Sequence, residues 1–255
     1  MDDQKLEKEF AVHVYDTGPD GRLSLYSLFD YLQDIASDHA VMLGYGRDDL
    51  LQRNQFWVLS RMYAEISKLP EWGEKLTVRT WPRGIDRLFA LRDYQVTLYD
   101  GTPVAMATSS WLIIDRKTRK IQRPDNGLII SGSGHEHNNV LPRNAMKLDQ
   151  MDQGELVVSH FRVKVSDLDV NLHTNNVRYL QWIIDTCDPA FIMNNAPVYA
   201  EINYIAESHF NDEIIIRMSE NKNSSAIYDY SVVRIPDNSD LCRVRINWKN
   251  NLKTN

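Results

Sequence analysis

The chain has 255 residues, which suits one large domain or two of about 125 residues that each bury a core. Hydrophobic residues make up 43% and charged residues 25%, a balance that excludes disorder over a whole segment. The net charge of −6 disfavours a general binder of nucleic acid or of anionic membrane.

The first ten residues, MDDQKLEKEF, contain no apolar core or cleavage pattern, and nothing later approaches the ~18 apolar residues of a membrane span. A cytoplasmic protein without membrane insertion is expected. A strand is predicted over Phe10–Tyr15. A helix follows over Ser24–Met42, where Leu25, Leu28, Phe29, Leu32 and Ile35 recur at helical spacing. Four strand-like segments come next: Phe56–Ile66, Lys75–Trp81, Leu88–Tyr99 and Pro103–Ile114. Pro70 and the hairpin pair Asp100-Gly101 separate them. The stretch 123–154 holds Pro124, Gly127, Gly132, Gly134 and Pro142 and reads as an ordered linker, loosest at Ser131-Gly-Ser-Gly. Beyond it the same order returns. A strand is predicted over Leu156–Val165 and a helix over Asn175–Phe191. Strands follow over Val198–Ile205, Glu213–Ser219, Ala226–Ile235 and Leu241–Trp248. Cys187 and Cys242 form no disulfide framework or zinc spacing and read as two reduced thiols.

Short matches connect the halves. Tyr63-Ala64-Glu65-Ile66 returns as Tyr199-Ala200-Glu201-Ile202, 136 residues later. Leu91–Val96 echoes Ile227–Val232 at the same offset, and Tyr31-Leu32-Gln33 returns as Tyr179-Leu180-Gln181, 148 residues later. Three matches in one order indicate a duplicated unit, with about 12 extra residues between helix and strand in the first copy. An antiparallel sheet with one amphipathic helix hides its apolar face only if the helix packs on it. The expected fold is therefore α+β, a double hotdog: two antiparallel sheets, each wrapped around a long helix, able to pair edge to edge. The boundaries are an N-terminal unit over 1–122, a linker over 123–154 and a C-terminal unit over 155–255.

The second unit contains Asp167-Leu-Asp169-Val-Asn171-Leu-His173-Thr-Asn175-Asn176-Val-Arg-Tyr179. Polar residues occupy every second position, so an extended chain places them on one face. An asparagine cap at Asn175 or Asn176 would set this cluster before a helix N-terminus, where developing negative charge is favoured. Thioester hydrolysis needs such a place for its oxyanion. Capping and turn chemistry is the plainer reading of the same residues. A calcium loop is rejected, because Leu172 and Arg178 stand where it needs Gly and Glu. A metal site is disfavoured, because no second histidine lies at ligand spacing from His173. Aligned on the tyrosines, the first copy offers Gly21, Leu23 and Leu25 opposite Asp169, Asn171 and His173, so one site per chain is expected.

This motif resembles that of the acyl-ACP thioesterase family, the plant FatA/FatB type and its bacterial relatives: Asp-x-Asn-x-His leading into Asn-Asn-x-x-Tyr. Gln55-Phe-Trp57-Val-Leu-Ser-Arg61 and Trp72-Gly73 extend the resemblance to the first half. The family's catalytic Glu falls on Glu207, 34 residues after His173. The residue after it is Ser208, where the family usually carries Cys, which argues against a cysteine nucleophile here.

The resemblance implies two fused hotdog domains, the second catalytic and the first shaping the acyl pocket. It implies hydrolysis of fatty-acyl-ACP without a cofactor. Glu207 would act as general base on water, or as a nucleophile. Asn171 and His173 would position water and oxyanion, and Asp169 would orient them. Glu71, opposite Glu207 at the 136-residue offset, reads as surface. Acyl carrier proteins are acidic, and Arg116-Lys117-Thr-Arg119-Lys120-Ile-Gln-Arg123 is the densest basic stretch to receive one. Rival readings are an acyl-CoA thioesterase, a noncatalytic acyl-binding module and a hotdog dehydratase. Monomer and homodimer both fit.

Overall fold

The computed structural model describes residues 5–124, 139–151, 156–221 and 224–251. The first strand, β1, spans Leu6–Ala11. It ends earlier than expected because Val14–Asp16 close a 3-10 turn, with the Asp16 carboxylate accepting from the His13 N–H at 3.0 Å. Helix α1 spans Leu25–Met42 and starts at Ser24, whose hydroxyl accepts from the Ser27 N–H. Leu28, Phe29, Leu32 and Ile35 form its buried face. It stops in a Schellman turn: Tyr45 N–H donates to the Ala40 carbonyl and Gly44 N–H to that of Val41. Gly44 has φ +73°, where glycine lacks the Cβ that penalises other residues. A short helix α2, Arg47–Gln52, leads into β2, Gln55–Ile66.

The single helix predicted over Asn175–Phe191 is two helices. α3 covers Asn176–Ile184, and α4 covers Pro189–Asn194. Pro189 has no N–H to continue the ladder of α3, and its fixed φ suits a first helical turn. Asp188 caps that turn by accepting from the Ala190 N–H at 2.7 Å. The extra residues of the first half therefore lengthen α1 to 18 residues against 9 in α3, rather than lying wholly after the helix.

The remaining strands are β3 (Lys75–Asp86), β4 (Phe89–Leu98), β5 (Pro103–Asp115), β6 (Ile121–Gln122), β7 (Leu156–Arg162), β8 (Asn195–Tyr204), β9 (Glu213–Asn221), β10 (Ser224–Arg234) and β11 (Ser239–Asn250). The eleven strands of the described residues join in one antiparallel sheet, ordered β1-β3-β4-β5-β2-β8-β11-β10-β9-β7, with β6 on β5. The order read inward from either edge is the same, and the halves meet at β2 and β8. Helices α1 and α3 pack on each other, and one core cluster contains residues of both halves.

Hydrogen bonds fix how the halves correspond. Ser24 N–H donates to the Asp16 carbonyl, and Asn175 N–H donates likewise to Asp167. Phe10 stacks on Tyr31, and Phe161 stacks on Trp182. Tyr31 therefore corresponds to Trp182, three residues beyond the Tyr179 of the sequence match. Ile66 pairs with Ala105, and Tyr204 with Cys242; Ser67 N–H donates to Val104, and Ile205 N–H to Leu241. Ile66 thus corresponds to Tyr204, two residues beyond the Ile202 of the tetrapeptide match. A slip of two along a strand, or of three along a helix, leaves each side chain on nearly the same face.

At the junction Tyr63 pairs with Glu201 and Ala64 with Ala200. Ala64, Ala200 and Ile202 enter the main core, while Tyr63, Tyr199 and Glu201 face the other way. Residues 139–151 of the linker cover that second face. Leu141 and Ala145 pack on Tyr63, and Arg143 binds the buried Glu201 carboxylate through two bonds of 2.7 and 3.0 Å. Ser131–Gly134, read as the loosest part of the linker, lies outside the described residues.

Candidate active site

The polar residues of the motif are brought together by a closed turn, not by the extended chain expected. Asp169 N–H donates to the His173 carbonyl at 2.8 Å, and Leu172 N–H to the Asp169 carbonyl at 3.0 Å. The Asp169 carboxylate sits inside this turn. Its Oδ1 accepts from the N–H groups of Asn171 (2.7 Å) and His173 (3.2 Å), and its Oδ2 from Asn171 Nδ2 (3.3 Å). Three hydrogen bonds thus tie Asp169 to Asn171 and to the His173 backbone. Leu172 has φ +63°, which costs a branched side chain about 1 kcal/mol. The corresponding residue of the first half is Gly21, which makes the same turn at φ +73° without that cost. Asn175 caps α3 by accepting from the Val177 N–H at 3.0 Å, and Asn176 is the first helical residue.

Glu207 arrives from the turn after β8. Its Oε1 lies 3.6 Å from His173 Nδ1, and its Oε2 accepts from Arg119 Nη2 at 2.8 Å. The side chains of His173 and Glu207 are 28% and 32% exposed, accessible yet fixed. Asp169, Asn171, His173 and Glu207, the first and last 38 residues apart in the sequence, all line one cleft of about 1620 Å³. The first half adds Ala36 and Ala40 of α1, Leu51 of α2, and Phe56, Trp57 and Trp111 of the sheet to its walls. Arg47, at the start of α2, reaches Asn171 Oδ1 at 3.5 Å.

Ser208 is buried (0% exposed) and belongs to the scaffold. Its Oγ lies 2.7 Å from Thr174 Oγ1 and 2.9 Å from the Tyr179 hydroxyl, and its carbonyl accepts from the Thr174 N–H. Burial pushes the Tyr179 hydroxyl up to about 12, although the Ser208 contact opposes it, so Tyr179 stays neutral. The cysteines are not poised as nucleophiles either. Burial raises Cys187 to about 11 and Cys242 well above the usual thiol value.

Three features were not legible in the sequence. Arg119, placed there in a carrier-docking stretch, holds Glu207. His209 corrects the reading that His173 has no histidine neighbour: their backbones form a β-bridge and their rings stand edge-to-face at 5.0 Å. The third is the true counterpart of the site in the first half. The matching turn there makes Gly18, Asp20 and Arg22 correspond to Asp169, Asn171 and His173. The bridge Arg22–Glu71 corresponds to His173–His209, so Glu71 matches His209 and Leu69 matches Glu207. The first copy therefore has some polar residues but neither of the two carboxylates, and Leu69 is buried.

Residues 3–129 match the family model of the acyl-ACP thioesterase N-terminal domain, and residues 150–250 match that of the C-terminal domain. The palmitoyl-acyl carrier protein thioesterase, chloroplastic, of Gossypium hirsutum is 26% identical over 262 residues, covering 96% of this chain and 63% of that protein. The chain spans about three fifths of the length of the curated relatives it matches. Among solved structures, an acyl-ACP thioesterase from Bacteroides thetaiotaomicron superposes with a TM-score of 0.85 at 28% identity, over 96% of this chain and 98% of that one. A 12:0-ACP thioesterase from Umbellularia californica superposes with a TM-score of 0.86 at 20% identity, over 98% and 95% of the two chains, a likeness of fold alone. No helix among the described residues is long and apolar enough to cross a membrane.

Proposed function

Since the chain belongs to the acyl-ACP thioesterase family, we propose that it hydrolyses fatty-acyl thioesters of acyl carrier protein to free fatty acid and thiol, with Glu207 as general base. The observation that carries this reading is the split carboxylate: Oε2 of Glu207 is held by Arg119, while Oε1 points toward His173 in a largely apolar cleft.

A water beside Oε1 gives its proton to Glu207 as its oxygen attacks the thioester carbonyl carbon. The carbonyl oxygen becomes an oxyanion that accepts from the Asn171 side-chain amide and from the His173 ring. When the C–S bond breaks, the leaving sulfur takes the proton back from Glu207, and the carboxylate is restored. Asp169 keeps Asn171 and His173 in place throughout. No cofactor takes part in these steps. The fold reads as two hotdog units over 1–122 and 155–255, supported by the matching strand orders of the halves, by α1 against β1 and β3, and by Trp182 of α3 stacked on Phe161 of β7.

The carrier is read as acyl carrier protein because the exposed turn after β5 presents Lys117 and Lys120 beside the cleft that Arg116 and Arg119 line. Coenzyme A brings the same thioester without the acidic protein.

The test is steady-state hydrolysis of matched acyl-ACP and acyl-CoA from C8 to C18, with Glu207→Gln and Glu207→Ala as controls. Turnover that prefers acyl-ACP and falls at least about a thousandfold in both variants is expected. Folded variants with wild-type turnover overturn the base assignment. Acyl binding without turnover favours a noncatalytic pocket.

A further inference from the structure

We propose that His173, Glu207 and His209 form a binding site for one divalent transition-metal ion of the zinc class, and that the bound ion blocks hydrolysis. The blocking half rests on the function proposed above; the binding half does not.

One ligand atom from each of these residues lies within 4.8 Å of the others. Two imidazoles and a carboxylate are a borderline donor set that suits zinc and its neighbours better than magnesium or calcium. A tetrahedral ion with bonds near 2.1 Å needs its donors about 3.4 Å apart, so the three must draw together. The geometry permits it. The bridge between His173 and His209 fixes their backbones side by side, and His209 is exposed, so its ring rotates without disturbing the core.

Glu207 is already divided in the way such a site requires. Arg119 holds Oε2, leaving Oε1 on the histidine side as a single ligand atom. Ligating carboxylates are themselves hydrogen-bonded by outer-shell groups, the place that Arg119 takes here. The same Oε1 is the atom that receives the proton from water, so an ion bound there removes the base. The first half cannot form this site: Arg22, Glu71 and Leu69 stand in place of His173, His209 and Glu207.

The experiment titrates Zn2+ into the full chain against a chromophoric chelator and measures acyl-thioester hydrolysis over the same free Zn2+ range. Wild type, His209→Ala and His209→Gln are compared. Expected are one Zn2+ lost from the binding isotherm or weakened about tenfold or more in both variants, and an equal shift in the inhibition midpoint. Metal-free turnover of the variants stays within about twofold of wild type, because His209 takes no part in the proposed steps. Equal Zn2+ affinity in wild type and both variants overturns the site. Saturable binding at the site that leaves hydrolysis unchanged or faster overturns the block. If wild type hydrolyses no acyl thioester, the functional reading fails, and the chelator titration still decides the metal site.

Discussion

Arg119, in the turn after β5, donates to Glu207 at 2.8 Å across the two halves of the chain. Its guanidinium also lies over the Phe56 ring, 5.1 Å from the centroid, so the first half grips the carboxylate through a braced side chain. The pair is partly solvated, with Arg119 57% exposed, and such pairs add little to stability. The prediction separates activity from folding. Arg119→Ala lowers kcat/KM roughly 10- to 100-fold, the loss typical of a charged hydrogen bond, and leaves Tm within about 1 °C. Arg119→Lys recovers part of the loss. A parallel fall in Tm and activity would mean that Arg119 is only structural. Because Arg119 acts on Glu207, charge reversal of Lys117 and Lys120 alone is the cleaner probe of carrier docking, read as a higher KM for acyl-ACP and not for acyl-CoA.

Asp169 organises the motif turn through both oxygens. Asp169→Ala frees Asn171 and His173 and is expected to lower kcat about 100-fold, as misplacement of catalytic groups does. Asp169→Asn keeps an oxygen for the two backbone N–H groups but turns an amide toward the Asn171 amide, two donors facing each other. Its loss should be intermediate, roughly tenfold. Equal activity of Asp169→Ala and wild type in the same steady-state assay would refute the orienting role.

Ser208 sits next to the proposed base yet bonds inward to Thr174 and Tyr179. Ser208→Ala leaves those hydroxyls without their buried partner, at a cost of about 1–3 kcal/mol, and each kcal/mol lowers Tm by about 2–4 °C in a chain of this size. Turnover should remain within about threefold of wild type after correction for folded fraction. A folded but inactive Ser208→Ala would make Ser208 part of the chemistry.

Asp30 lines the cleft from α1. Burial raises its carboxyl above the usual value, with Arg178 pulling in the opposite direction. A carboxyl raised by folding contributes stability that is complete below its unfolded value and lost as pH rises through the folded one. Asp30→Asn removes that dependence. The Tm of the variant relative to wild type should therefore increase as pH rises above the ordinary carboxyl range and level off once the folded carboxyl has ionised. A difference that stays flat or decreases over this range contradicts the burial effect.

Much of this protein was legible in the sequence because its signals are local. Turn signals bounded the strand-like segments, Ser24 and Asn175 marked the helix starts, Asp169, Asn171 and His173 appeared as candidates by type and spacing, and the family resemblance pointed to Glu207. The duplication was visible too, but its register was not. Strands repeat their faces every two residues and helices nearly every three or four, so sequence matches displaced by one such period preserve the buried pattern equally well. Hydrogen-bond partners, which exist only in the folded chain, chose Trp182 for Tyr31 and Tyr204 for Ile66. The tertiary structure alone also decided what surrounds Glu207. Arg119 is 88 residues away along the chain and His209 is two, yet both become its neighbours because β5 and β8 each run antiparallel to β2 between them and so end on the same side of one sheet. Charge and donor chemistry act over a few ångströms of space, and a linear sequence carries no measure of that distance.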